Sequence, residues 1–336
     1  MLKQWIGRMT LAAAVTAGAA GLQAEELKAL NFGIISTESS SNLKGVWEPF
    51  LEDMSAKLDM EVKGFFAPDY AGIIQGMRFD KVDIAWHGNK SAMEAVDRAG
   101  GEVVVQTVAA DGSPGYWSLM IVHKDSTNLN TVEDMLANAK DLTFGNGDPN
   151  STSGFLVPSY YIFAKNDVNP KKAFKRTLNS SHETNAMAVA NKQVDVATFN
   201  TGRMARLQLT FPEKADNLKV IWKSPLIPSD PLVWRKNLPA QTKQKVYDFL
   251  MSYGTTGDEK ELKILADLQW APFRASSNDQ LIPIRQLEMF KQKAAIENDS
   301  RYSAQEKTEK LADIEAQLAG LDRRLAALDA AREESN

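Results

Sequence analysis

Three consecutive hydroxyl residues, Ser151-Thr152-Ser153, sit in a glycine-containing stretch that reads Gly145-Asn146-Gly147-Asp148-Pro149-Asn150-Ser151-Thr152-Ser153-Gly154-Phe155. An apolar run, Leu142-Thr143-Phe144, precedes it, and an apolar segment of helical spacing follows. That order predicts a strand, a tight turn and a helix start. The first turn of a helix carries backbone N–H groups without intrahelical partners. The helix dipole adds partial positive charge at the same end. Such a loop can hold a phosphate-like anion on N–H and hydroxyl groups. Ser and Thr are also favoured as ordinary N-caps, so capping alone is the competing reading. The loop has no Lys, which excludes a Walker-type nucleotide site.

Other chemistries find little support. The chain has no Cys, which excludes disulfides, thiol nucleophiles and Cys-ligated metals. Its three histidines, His87, His123 and His182, form no pair at metal-ligand spacing, so neither a metal nor a cofactor is expected. A Ser/His/Asp hydrolase would have to assemble Ser151, His182 and a distant Asp. No nucleophile-elbow motif is present, and an enzyme is not expected. His123, before Lys124-Asp125-Ser126, reads as a solvated loop residue, and His87 as a polar residue at a strand end.

The N-terminus points to export. Residues 1–24 have the form of a signal peptide: Lys3 and Arg8, an uncharged apolar stretch from Met9 to Ala20, then small residues up to Ala24. The apolar stretch is shorter than the about 20 residues that span a bilayer. A periplasmic location is therefore expected. Removing the leader takes away two basic residues and no acidic one, so the formal charge moves from −4 to −6. No basic run survives, which argues against nucleic acid as a partner. About 310 mature residues are too many for one typical core and suggest two lobes.

Strands alternate with helices. Leu30–Ile35, Met60–Phe66 and Val82–Trp86 read as strands, Trp47–Leu58 and Tyr70–Phe79 as helices. This alternation implies α/β architecture with mixed, mostly parallel sheets flanked by helices and right-handed crossovers. Lys81-Val82-Asp83-Ile84-Ala85-Trp86-His87-Gly88-Asn89 is echoed by Gln193-Val194-Asp195-Val196-Ala197-Thr198-Phe199-Asn200-Thr201, as two lobes of similar topology would give. Crossings between lobes are expected near Tyr116–Val122 and Val220–Pro231. The boundaries expected are residues 25–117 with 223–300 for one lobe and 118–222 for the other. A ligand would lie between them, at the carboxyl ends of the strands.

Several runs resemble the periplasmic substrate-binding proteins of phosphonate ABC transporters, which have the type II binding-protein fold. They are Ala29 through Ser39, Phe66 through Tyr70, Asp111 through Ser118, Phe144 through Pro158, His182 through Asn185, and Ser224 through Trp234. The resemblance spans roughly residues 28–290. It implies a receptor that closes on a phosphonate and delivers it to a membrane permease. It further implies that Ser151, Thr152, Ser153 and His182 hold the phosphonate, joined by Tyr70 and Tyr116. In aminoalkylphosphonate receptors two acidic residues hold the ligand's ammonium. One matches Asp230; the other falls on Gly202, and His87 stands where related sequences usually carry tyrosine. Phosphite, methylphosphonate or another oxyanion therefore stays open as the ligand. An exported phosphoesterase is the rival from another class.

Residues 301–336 read as an amphipathic helix. Leu311, Ile314, Leu318, Leu321, Leu325 and Leu328 recur at steps of three and four, an a/d seam over three heptads. The seam can lie on its own lobe or pair two subunits, and a homodimer contact is the expectation favoured here. Trp270-Ala271-Pro272-Phe273 is expected to pack within a lobe.

Overall fold

A computed structural model describes residues 27–335; the leader expected over 1–24 lies outside them. The first strand, β1 (Ala29–Ile34), forms because Leu30, Phe32 and Ile34 alternate toward a core in which each is fully buried. It pairs in parallel with β2 (Glu61–Phe66) and β3 (Ile84–Trp86). The same sheet takes β4 (Gly101–Ala109) and, much later, β12 (Pro231–Arg235) and β13 (Trp270–Ala275), in the order β13-β4-β12-β3-β1-β2. The chain's middle builds a second, five-stranded sheet. It holds β6 (Ser118–His123), β7 (Thr143–Gly147), β8 (Arg176–Ser180), β9 (Val196–Asn200) and β10 (Leu218–Lys223), ordered β10-β6-β9-β7-β8. Both sheets are mixed, as expected, but not mostly parallel, because β6 and β12, which arrive from the other lobe, enter antiparallel, and β13 pairs antiparallel with β4. Parallel pairing holds where a helix carries the chain back, at β1/β2, β1/β3, β7/β8 and β7/β9, and the remaining pairs are antiparallel.

The chain crosses between the sheets twice, and the crossings meet. A two-stranded ribbon joins β5 (Gly115–Tyr116) to β11 (Ile227–Pro228). Ser118 N–H donates to Ser224 Oγ and Ser224 N–H to Ser118 O, both at 2.9 Å.

The internal echo has a structural counterpart. Asp83 accepts the N–H of Asn31 in β1 at 2.7 Å, and Asp195 accepts the N–H of Thr143 in β7 at 2.7 Å. Each carboxylate thus ties a parallel strand to its neighbour at the same topological position. This tie also shortens the strand expected over Val82–Trp86 to Ile84–Trp86.

The helix expected from Trp47 begins earlier, at Ser40, where Ser39 Oγ accepts the Asn42 N–H, and it carries Pro49 in its interior. Tyr70–Arg78 forms as expected, capped by Asp69. Trp270 packs edge-on against Trp47 with ring centroids 5.2 Å apart, and Phe273 meets Phe50 in the core of the six-stranded sheet. His123 corrects the loop reading. It is the last residue of β6, and β10 pairs alongside it, so its side chain is buried.

The C-terminal helix, Ala304–Ser335, packs along the helix Ile282–Glu297. Ile314 and Leu318 are buried there, and Lys293–Glu315, Gln286–Asp322 and Arg324–Asp279 contacts flank them. The other seam leucines are half-buried. Much of the seam therefore faces its own chain.

Candidate functional site

Strand β7 ends at Gly147, and the Asp148-Pro149-Asn150 turn hands the chain to a helix. Asp148 Oδ1 accepts the Asn150 N–H at 2.7 Å, and its carbonyl accepts the Ser151 N–H at 2.8 Å. Residues 152–166 are continuously helical, with wide π-type turns over Thr152–Leu156 and Ser159–Phe163. Pro158 accounts for the first of these: proline has no N–H and its ring crowds the preceding turn. The Ser153 carbonyl instead accepts the hydroxyl of Ser118 at 2.6 Å. Strand end and helix start touch backbone to backbone. A Cβ on Gly147 would lie 2.6 Å from the Gly154 main chain.

Each hydroxyl of the triplet already accepts a hydrogen bond from a fixed N–H. Ser151 Oγ takes the Gly154 N–H at 2.9 Å. Thr152 Oγ1 takes the Lys90 N–H at 2.8 Å, across from the other sheet. Ser153 Oγ takes Asn200 Nδ2 at 3.0 Å. A hydroxyl has one proton to donate. With one lone pair of each engaged by an N–H, their protons can turn to an acceptor in the cleft or, for Ser151 and Ser153, to His182 Nε2. Ser151, Thr152 and Ser153 are all nearly fully buried.

His182 opens the helix His182–Ala190, which Ser181 caps. Its Nε2 lies 3.4 Å from both Ser151 Oγ and Ser153 Oγ and 3.2 Å from Asn200 Nδ2. Burial, aided by the Arg203 charge, lowers its pKa to about 3, so the ring is neutral.

The other end of the cleft carries Tyr70, Tyr116 and Asp230. Tyr116 Oη donates to Asp230 Oδ1 at 2.9 Å. Tyr116 also neighbours Thr152, and Tyr70 neighbours Ser151, which ties the two ends together. Burial raises both phenols above their usual range. Asp230 keeps some surface toward the cleft but is ringed by protein, and this burial raises its pKa to about 7 against the opposing pull of Tyr116 and Arg203. The buried indole N–H of Trp86 has no hydrogen-bond partner of good geometry among the described residues; it lies near Asp230 and also pulls the carboxyl's pKa down.

All seven residues singled out from the sequence thus meet in one cleft between the sheets. Two others also reach it. Asn200 was read only as the end of a strand; it is the N-cap of Thr201–Thr210 and turns its amide into the hydroxyl cluster. Arg203, one turn on, pairs with Glu38 of the opposite lobe at 2.7 Å and lies over the Trp86 ring. The Asn200 cap was legible as an N-cap type ahead of a helical pattern; the Arg203–Glu38 pair, across the whole cleft, was not. His87 is fully buried, bonds Ser91 through Nδ1 at 3.1 Å, and is held neutral by burial at a pKa of about 3.

The lobes are closed on one another in this structure. Tyr70 N–H donates to Asp148 at 3.2 Å, Glu183 N–H to the Thr37 carbonyl at 3.2 Å, and Asn42 Nδ2 to the Glu183 carboxylate at 2.9 Å.

Known proteins give this arrangement a context. A family described as the periplasmic substrate-binding protein of phosphonate ABC transporters matches residues 32–281. The chain is 64% identical over 306 residues to the phosphonates-binding periplasmic protein of Escherichia coli K12, covering 91% of this chain and 89% of that one. A crystal structure of a binding component of an ABC phosphonate transporter from Pseudomonas aeruginosa shares 66% identity and superposes with a TM-score of 0.88, covering 90% of this chain and all (100%) of the other. A Prochlorococcus marinus protein solved with methylphosphonate shares the fold at 23% identity and a TM-score of 0.69, over 77% of this chain and 97% of its own. The chain belongs to the family of periplasmic substrate-binding proteins of phosphonate ABC transporters.

Proposed function

We propose that the chain is a periplasmic receptor that takes the head of a phosphonate on Ser151, Thr152, Ser153 and His182, directs its remainder toward Tyr70, Tyr116 and Asp230, and delivers it to an ABC permease. One observation carries the reading: three adjacent hydroxyls, each accepting from a fixed N–H, can turn three protons to a single anion. Hydrogen bonds to a charged group are worth about 1.5–3 kcal/mol each, so neutral donors suffice without direct Lys or Arg pairing. The lobes are taken as residues 25–117 with 223–300 and 118–222, with 301–336 as the C-terminal helix. Closure would turn on the paired crossings near Tyr116 and Ser224. A phosphoesterase is disfavoured because His182 Nδ1 has no hydrogen-bond partner among the described residues, whereas a hydrolytic base needs an orienting carboxylate there.

Within the class, Gly202 and the raised pKa of Asp230 favour a ligand without an ammonium. A buried ammonium needs anionic partners to offset desolvation. A side chain at Gly202 would meet only Asn200 Oδ1, at 3.6 Å, so the position is open. Calorimetry with methylphosphonate, 2-aminoethylphosphonate, phosphite, phosphate and sulfate, beside turnover of a chromogenic phosphate ester, tests the reading. Micromolar or tighter binding of a phosphonate or phosphite without turnover is expected; turnover without such binding contradicts it. Gly202→Glu should strengthen 2-aminoethylphosphonate by about 1–3 kcal/mol and leave or weaken methylphosphonate. No change for either ligand would exclude this position from the site.

A homodimer through the C-terminal helix is proposed for the same receptor. Arg324 bonds Asp279 at 2.8 Å, and the helix continues a further eleven residues, to Ser335. Leu325 and Leu328, half-buried in this last stretch, are the seam residues proposed to meet a second chain.

A further inference from the structure

The cleft's donors and acceptors are unevenly matched. Each of the three hydroxyls keeps a proton to donate and has one lone pair taken by an N–H. His182 offers an acceptor with no proton of its own, and Asn200 decides why. The Arg203 N–H donates to Asn200 Oδ1 at 2.7 Å, which fixes the amide's orientation, since a flipped amide would set two donors against each other. Nδ2 therefore faces His182 Nε2 at 3.2 Å as a donor. A donor at that distance is met by a lone pair on Nε2, which puts the ring hydrogen on Nδ1, a buried nitrogen with no hydrogen-bond partner among the described residues.

We propose that the site, read as a phosphonate receptor, takes its ligand with one oxygen protonated, the P–OH hydrogen being donated to His182 Nε2, and that Asn200 is the positioning residue that keeps this nitrogen an acceptor. The geometry selects oxyanions that carry an ionisable P–OH. A sulfonate or sulfate presents only acceptors, so its oxygen would meet the Nε2 lone pair. A site built around one hydrogen bond rejects an analogue that cannot make it.

The charged and titratable groups around His182 leave this assignment intact. On its own helix, Glu183 is engaged by Ser39 N–H and Asn42. From the helix after β9, Arg203 is paired with Glu38 and its charge disfavours an imidazolium. From the opposite lobe, Tyr70 is a neutral phenol beside Ser151 and Asp230 lies further along the cleft; Asp148, in the turn after β7 of the same lobe as His182, accepts the Tyr70 N–H.

The experiment uses full-length receptor and two ligands of matched shape, methylphosphonate and methanesulfonate. Below the second ionisation of methylphosphonate both are monoanions, so charge is matched too. Methanesulfonate should bind roughly a hundredfold more weakly or worse; binding within tenfold overturns the proposal. One pH unit above that ionisation, calorimetry in two buffers of different ionisation enthalpy should show uptake of one proton per methylphosphonate bound. Asp230→Asn should keep that uptake, and His182→Gln should abolish it. Asn200→Ala should reduce the preference for methylphosphonate over methanesulfonate, because Nε2 is then free to carry a proton. Binding without proton uptake, or uptake undiminished in His182→Gln, removes this inference alone. Absence of binding by methylphosphonate and phosphite at every pH removes the receptor reading with it.

Discussion

A buried aspartate within reach of a ligand is a pH-sensitive discriminator. Burial holds Asp230 protonated up to a pH of about 7, against an ordinary value of 3.8. A folded-state pKa above the unfolded one means the fold binds the proton more tightly. Asp230's contribution to stability is therefore present at low pH and is lost as pH rises from about 4 to about 7. A bound ammonium reverses that penalty, because it favours the carboxylate. The affinity for 2-aminoethylphosphonate relative to methylphosphonate, corrected for each ligand's own ionisation, should thus rise between pH 5.5 and 8. Asp230→Asn should flatten the rise, and a flat ratio in the wild-type protein would remove Asp230 from the ligand's surroundings. At this scale the hydroxyl triplet was legible because residue type and helix start lie together in the sequence. The role of Asn200 was only half legible: its type announces a cap, but the direction of its free amide is set by His182 and Ser153.

Elements explain why the triplet points where it does. The turn after β7 and the wide first turns of the helix 152–166 depend on two glycines in backbone contact, Gly147 and Gly154. Gly147→Ala would push a methyl group to 2.6 Å from the Gly154 main chain. Overpacking of this kind costs about 1–3 kcal/mol, so the urea midpoint should fall and phosphonate affinity with it. Native stability with unchanged affinity would show that the close approach is dispensable. The strand, turn and helix start were all read from the sequence; the π-type turns were not. The cause of the first is Pro158 acting together with Ser118, 35 residues before Ser153, whose hydroxyl takes over the Ser153 carbonyl. A local pattern cannot report a partner so far away in the chain.

For the whole molecule, two sheets, the parallel pairs within them and the two crossings followed from alternating strands and helices; the antiparallel pairs, most of them made by strands arriving from the other lobe, did not. Neither did the bonds that hold the lobes together. Arg203–Glu38 and Asn42–Glu183 join residues 165 and 141 positions apart. The C-terminal seam was legible as a pattern, but its partner was not, because a heptad repeat fits an intramolecular helix as well as a second chain. If subunits pair through the last stretch of this helix, full-length protein should sediment as a dimer at micromolar concentration. Leu325→Asp with Leu328→Asp should then give a monomer of unchanged phosphonate affinity. A full-length monomer would assign the whole seam to its own lobe.

The claim on which the rest depends is that the Ser151–Ser153 hydroxyls hold the ligand's oxyanion. Titration of methylphosphonate into Thr152→Ala/Ser153→Ala measures it directly. Ser151 remains to cap the helix, so the double variant should fold, as far-UV circular dichroism and thermal unfolding can verify. Loss of two hydrogen bonds to a buried charge should weaken binding by about 3–6 kcal/mol, more than a hundredfold. A folded double variant that binds methylphosphonate within threefold of the wild-type protein would contradict the account.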